Sequence, residues 1–128
     1  MGVEGNTTVN EAVFQAIAEI VLNNIDDVVA KKRKGTLAGL SKILAERFSP
    51  HIVVKKAEKP EVDFGDVNFD LKLAVIYGVK IPEVAVNVRK ELIKVVEDLT
   101  GYKVTGVDVV VDRIVEMKEL EADLPEEE

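Results

Sequence analysis

Apolar residues recur at three- and four-residue intervals along Val84, Ala85, Val88, Leu92, Val95, Val96 and Leu99. At 100° per residue that spacing gathers them into one broad stripe and predicts an amphipathic helix. Pro82 suits its first position, where a missing N–H costs nothing and φ is already set, and Gly101 suits the left-handed cap just past its end. The same period predicts a first helix over 11–22, with Asn10 as N-cap, Val13, Ala16, Ile17, Ile20 and Val21 as its apolar positions, and Ala12 and Phe14 flanking. A second helix opens at Gly35-Thr36, carries Leu37, Leu40, Leu44 and Phe48 on a narrower face, and stops at Ser49-Pro50.

Between and after these helices the period changes to two. Val67, Phe69, Leu71, Leu73, Val75 and Tyr77 alternate with Asn68, Asp70, Lys72, Ala74 and Ile76, which predicts a strand with a core face and a wet face. Val107, Val109 and Val111 alternate with Asp108, Val110 and Asp112 in the same way, Ile52 to Lys56 is a shorter β-rich run, and Val28-Val29 is a brief extended piece. A sheet with one apolar face needs one layer of helices. The expected fold is therefore α+β: a two-layer sandwich in the order α-α-β-β-α-β, with an about three-stranded sheet covered on one face by helices, KH-like in outline. The two clear strands flank the long helix, so if adjacent and parallel they form a crossover unit.

A chain of 128 residues that is 47% hydrophobic has the size and apolar content of one domain. Residues 116–128 hold seven acids and one lysine, so six of the seven net negative charges sit there and the rest of the chain is nearly neutral. The expected organisation is a flexible N-terminus over 1–8, a single domain over 9–115 and an acidic tail over 116–128. The absence of cysteine excludes disulfides and thiolate metal sites and fits a reducing cytoplasm. No apolar run approaches the length of a membrane span, so direct membrane insertion is not expected, and Asn6 stands where myristoylation needs Ser or Thr.

Candidate chemistry is sparse, and no catalytic residue, metal or cofactor is expected. His51 is the one histidine, so neither a His-based metal site nor a Cys–His pair can be built within one chain. Asp70, Asp108 and Asp112 fall on the polar strand face, where solvated alternation explains them as well as cation binding would. Gly35 to Gly39 and Gly101 to Gly106 lack the Lys-Ser/Thr of a phosphate loop and the dinucleotide fingerprint. Lys31, Lys32, Arg33 and Lys34 could neutralise phosphates, but no GxxG loop accompanies them and there is no evident surface aromatic for stacking. On the long helix, Val86 and Ile93 project together about 140° from the centre of the core stripe. With Arg89 and Lys90 between them they form a candidate patch for self-association or partner docking.

Tyr77-Gly78, Ile81 to Ala85, Val88-Arg89, Leu99-Thr100-Gly101 and the run Val104-Thr-Gly-Val107-Asp-Val109, with Ile17-Ala18 on the first helix, stand in a characteristic order and spacing. Over about residues 8–115 the chain resembles the bacterial alkaline-shock protein family, also described as the envelope stress response or general stress protein family. The resemblance implies a non-enzymatic cytoplasmic protein linked to cell-envelope or alkaline stress, or to fatty-acid metabolism. It also implies self-assembly into homo-oligomers and attachment to the membrane through a separate anchoring protein. The family has no established catalytic residues to carry over. Asp27-Val28 and His51-Ile52 depart from its usual Gly-Val pairs. The expected function is a stress-response scaffold acting by self-association and partner docking. The alternative is a KH-like RNA-binding module using Lys31 to Lys34.

Overall fold

The computed structural model describes residues 5, 7–29, 43, 46–58 and 65–122, and the structural statements below are made of these. Helix α1 (Glu11–Asn23) begins where Asn10, in extended conformation, accepts the Ala12 N–H on its side-chain oxygen at 2.8 Å. That bond satisfies one of the donors every helix start leaves open. After α1 come β1 (Val28–Val29), β2 (His51–Ala57), β3 (Asp66–Ile76), α2 (Ile81–Thr100), β4 (Lys103–Val115) and α3 (Met117–Ala122). Helix α2 has Pro82 in its first turn and ends at Gly101, whose φ of 77° is the left-handed conformation that glycine adopts without a Cβ penalty.

Strand β3 is the axis of the sheet. β4 runs parallel to it along one side, and β2 and β1 run antiparallel along the other, β2 against residues 66–72 and β1 against 74–75. The sheet is thus mixed and four-stranded, where about three strands were expected; the fourth is two-residue β1, the brief extended piece at Val28-Val29, which pairs with β3. The two long strands are adjacent and parallel, so β3, α2 and β4 form the expected crossover unit. The order of described elements is α-β-β-β-α-β-α, which adds β1 and α3 to the expected α-α-β-β-α-β and leaves its second helix mostly outside the described residues. Most of the expected second helix, and all of Lys31 to Lys34, lie outside the described residues. Of that helix, Ile43 and residues 46–48 have helical backbone.

Helices α1 and α2 cover one face, and the core lies between them and Val67, Phe69, Leu71, Leu73 and Val75 of β3. Phe14 sits at its centre, edge-on to Phe69 at 6.4 Å and to Tyr102 at 5.0 Å between ring centroids, arrangements that the ring quadrupoles favour. Two stripes are rotated from expectation. On α1 the buried residues are Phe14, Ile17, Ala18, Val21 and Leu22, while Val13 and Ile20 are exposed, Ile20 by 60%. On α2 the buried ridge is Val84, Val88, Leu92, Val96 and Thr100. Steps of four wind such a ridge around the helix by about 40° each, which carries it away from Leu99 and leaves that residue 70% exposed. Thr100 is tolerated inside because its hydroxyl donates to Val96 O at 2.7 Å and accepts the Tyr102 N–H at 3.1 Å.

The second sheet face is not uniformly wet, contrary to a sheet covered on one side only. At the end where β1 and the C-terminal halves of β3 and β4 meet, Val29, Ala74 and Val115 are buried with Ile43, Phe48, Ile76 and Met117 packed on them. Arg113 fastens this cover, donating to Arg47 O at 3.1 Å while its Nε meets Asp112 at 2.9 Å. Phe48, expected on an apolar helix face, thus serves a second small core.

Candidate functional site

The outer surface of α2 and the strand beside it hold the four residues singled out as a docking patch. Val86 is 62% exposed and lines an open depression of about 390 Å³ with Pro82, Glu83, Asn87 and Lys90. Arg89 turns toward the sheet, where its Nε donates to Val107 O of β4 at 3.0 Å. Ile93 is half-buried and packs against the core, because the winding ridge brings its side of the helix down onto β4. The four residues therefore divide: Val86 and Lys90 face out, and Arg89 and Ile93 cover the edge of the sheet.

That edge is the feature sequence reasoning missed. Among the described residues β4 pairs with β3 alone, so its other side presents backbone groups with no strand to take them. Lys103 N–H points inward to Gly65 O, whereas Val104 N–H points outward and is met at 3.0 Å by the Glu97 carboxylate. Comparison of the registers places one extra residue at Thr105 and another at Asp112. Each such bulge switches which residues turn outward, so between them Val107, Val109 and Val111 present N–H and C=O to the edge. Val115 O points back inward to Tyr77 N–H at 2.8 Å, as two switches require. Glu97 and Arg89 stand two turns apart on one flank of α2 and cap the beginning of the edge by hydrogen bonds; beyond Val107 no described side chain hydrogen-bonds to it. The i, i+8 spacing of these charges was the readable signal, but only knowledge of the neighbouring edge gives it meaning.

The uncovered part of the second sheet face places Asp70 of β3 directly beside Asp108 of β4, and His51 beside Lys72. Lys55 reaches Asp70 at 3.2 Å, and the Arg113 guanidinium holds the Asp112 carboxyl below its ordinary pKa. No group of three or more metal-ligating side chains occurs among the described residues. Tyr77, expected on the core face, lies in the turn after β3 and is 69% exposed, which supplies the surface aromatic the sequence did not reveal.

Tyr102 makes the densest polar contact. It is 1% exposed, yet its hydroxyl donates to the Glu58 carboxylate at 2.8 Å and accepts Val9 N–H at 3.3 Å, tying the chain before α1 to the end of β2. Burial, then the Glu58 hydrogen bond, raises the phenol pKa; Lys56 first and Tyr102 second lower that of Glu58. An unfolded tyrosine ionises near pH 10, so this part of the stability is complete below that pH and is lost as pH rises through the higher folded value. Tyr102→Phe should cost about 1 kcal/mol at neutral pH and flatten the alkaline decline, as followed by urea unfolding from pH 8 to 11.

No helix among the described residues is long and apolar enough to cross a membrane. Among known sequences, an uncharacterized protein of Streptococcus pyogenes serotype M6, Spy1535, is 27% identical over 108 residues, spanning 84% of each chain. No solved structure matches. The family model of the alkaline-shock proteins, described as having a cell envelope-related function, matches residues 2–116, and that span includes the crossover unit and the half-open edge described above. The chain belongs to this alkaline-shock protein family, the one it was expected to resemble.

Proposed function

We propose that this protein is a non-enzymatic scaffold in the envelope stress response, acting by self-association and by docking partners of cell-envelope or lipid metabolism. It works in the cytoplasm and is held at the membrane by a separate anchoring protein. One observation carries this reading: exposed Val86, flanked by Glu83 and Lys90, lies alongside a strand edge that Arg89 and Glu97 shield only in part. An apolar spot rimmed by both charges beside available backbone groups suits a protein surface better than a small substrate. Affinity capture of the tagged chain from its native cells, in parallel with Val86→Asp, tests it. The wild type should recover its own untagged copies and an envelope or lipid-metabolism protein, and the variant should lose one or both. A chain that recovers neither, or one that turns over a substrate, would overturn the reading.

The alternative, single-stranded RNA binding through Lys31, Lys32, Arg33 and Lys34, has exposed Tyr77 in its favour as a stacking platform. Tight binding that weakens steeply with salt and is lost on replacing the four cations would establish it.

A further inference from the structure

We infer that two copies of this chain join edge to edge, β4 against β4 in antiparallel register about Val109, and that their α2 helices meet around Val86. The inference rests on the self-association part of the reading above and gives it a surface.

The strand supplies the first argument. Between the bulges at Thr105 and Asp112 the edge is regular, and the outward groups belong to Val107, Val109 and Val111, whose side chains lie on the helix-covered face. Antiparallel pairing joins residues that both point outward, so a two-fold axis can pass through Asp108, Val109 or Val110 without crossing a bulge. An axis at Asp108 sets that carboxylate against its own copy, and an axis at Val110 sets Asp108 against Asp112 of the second copy. Like charges directly opposite are destabilising. An axis at Val109 sets Asp108 against Val110 and Asp112 against Gly106, and pairs valine with valine on the helix-covered face. Charge thus selects one register. The far edge of the sheet, β2, carries Lys55 and Lys56, residues that deter such pairing.

The helix supplies the second argument. Arg89 lies over Val107, and α2 runs back along β4, so Val86 lies beside Val109, on the order of 5–7 Å along the edge. The axis that passes through Val109 therefore brings Val86 against Val86 of the second copy. It also brings Glu83 of each copy beside Arg89 and Lys90 of the other, a complementary arrangement that follows from the strand register. Pairing gives Val107 O a backbone donor, Val111 N–H of the second copy, in place of Arg89, whose guanidinium then turns to Glu83. An isologous contact of this kind closes on itself as a dimer.

Amide hydrogen exchange and sedimentation velocity on the full chain, over a wide concentration range, test the inference. The expected result is a dimer in which the amides of Val109 and Val111 become protected as concentration rises, while those of Asp108 and Val110, bonded to β3, stay protected throughout. Val109→Pro removes an N–H that the sheet does not use, and exposed Val86→Asp leaves the core intact. Each should weaken the dimer roughly tenfold or more, as should Glu83→Lys, with recovery in Glu83→Lys/Lys90→Glu. Circular dichroism checks that each variant folds. An oligomer indifferent to all of these would overturn edge pairing and leave self-association standing; a strict monomer would overturn both. A monomer that instead protects Val109 on adding a peptide of three valines flanked by lysines would assign the edge to a foreign strand and equally overturn the pairing of copies.

Discussion

Phe14→Ala should lower the free energy of unfolding by about 3–5 kcal/mol, the largest loss expected from a single truncation among the described residues. Phe14 has no exposed surface and touches two other aromatic rings at once, Phe69 on the central strand and Tyr102 just before β4. Removing it loses the transfer energy of the ring, leaves a cavity that three elements border, and takes away two edge-on contacts of about 0.5–1.5 kcal/mol each. α1 cannot collapse into the space, because Ile17, Ala18 and Val21 already hold it against the sheet and α2. Equilibrium urea unfolding measures the loss as a lower midpoint at unchanged slope. Val13→Ala, one residue away on the exposed side of the same helix, should change stability by less than about 0.5 kcal/mol.

The second large effect is expected from Gly65→Ala, at roughly 2–3 kcal/mol. A Cβ at this position collides with the Ala57 carbonyl, a backbone atom that cannot swing aside as a side chain could. The position is doubly constrained, since Gly65 O also accepts Lys103 N–H at 3.0 Å and so sets where β4 begins beside β3. Any shift that relieves the collision loosens either the end of β2 or the start of β4. Gly5, with nothing within 4 Å of an added Cβ, is the matching control, and Gly5→Ala should be neutral. Thermal unfolding of the pair separates close approach from a general cost of replacing glycine.

Local features were legible wherever one strong period or one special residue decided the outcome. Pro82 and Gly101 bracket α2 within a residue of its observed limits, and the alternation from Val67 to Val75 identifies the core face of β3 correctly. The errors arise where tertiary placement decides between neighbouring positions. Val13 and Ile20 are as hydrophobic as Phe14 and Leu22, so the sequence pattern leaves the rotation of α1 open by a residue, and the aromatic pocket settles it. Leu99 belongs to the apolar stripe in a flat projection but not on a ridge that winds. Ala74 and Ile76 sit on the expected wet face and are covered all the same, because Phe48 and Met117 come from distant parts of the chain. Of the docking patch, Val86 and Lys90 were read in the orientation they have. The roles of Arg89, Ile93 and Glu97 depend on β4 being an edge strand, and strand order cannot be counted from one period.

The placement of β3 has a thermodynamic consequence. β1, β2 and β4 each pair with β3, and among the described strands none pairs with another. No part of the sheet can persist once this strand is lost, and no smaller sheet can form ahead of it. α2 must already bridge β3 and β4 for their parallel pairing to close. Such a hub couples every hydrogen-bonded ladder to one segment, so the sheet should melt in a single cooperative step rather than peel strand by strand.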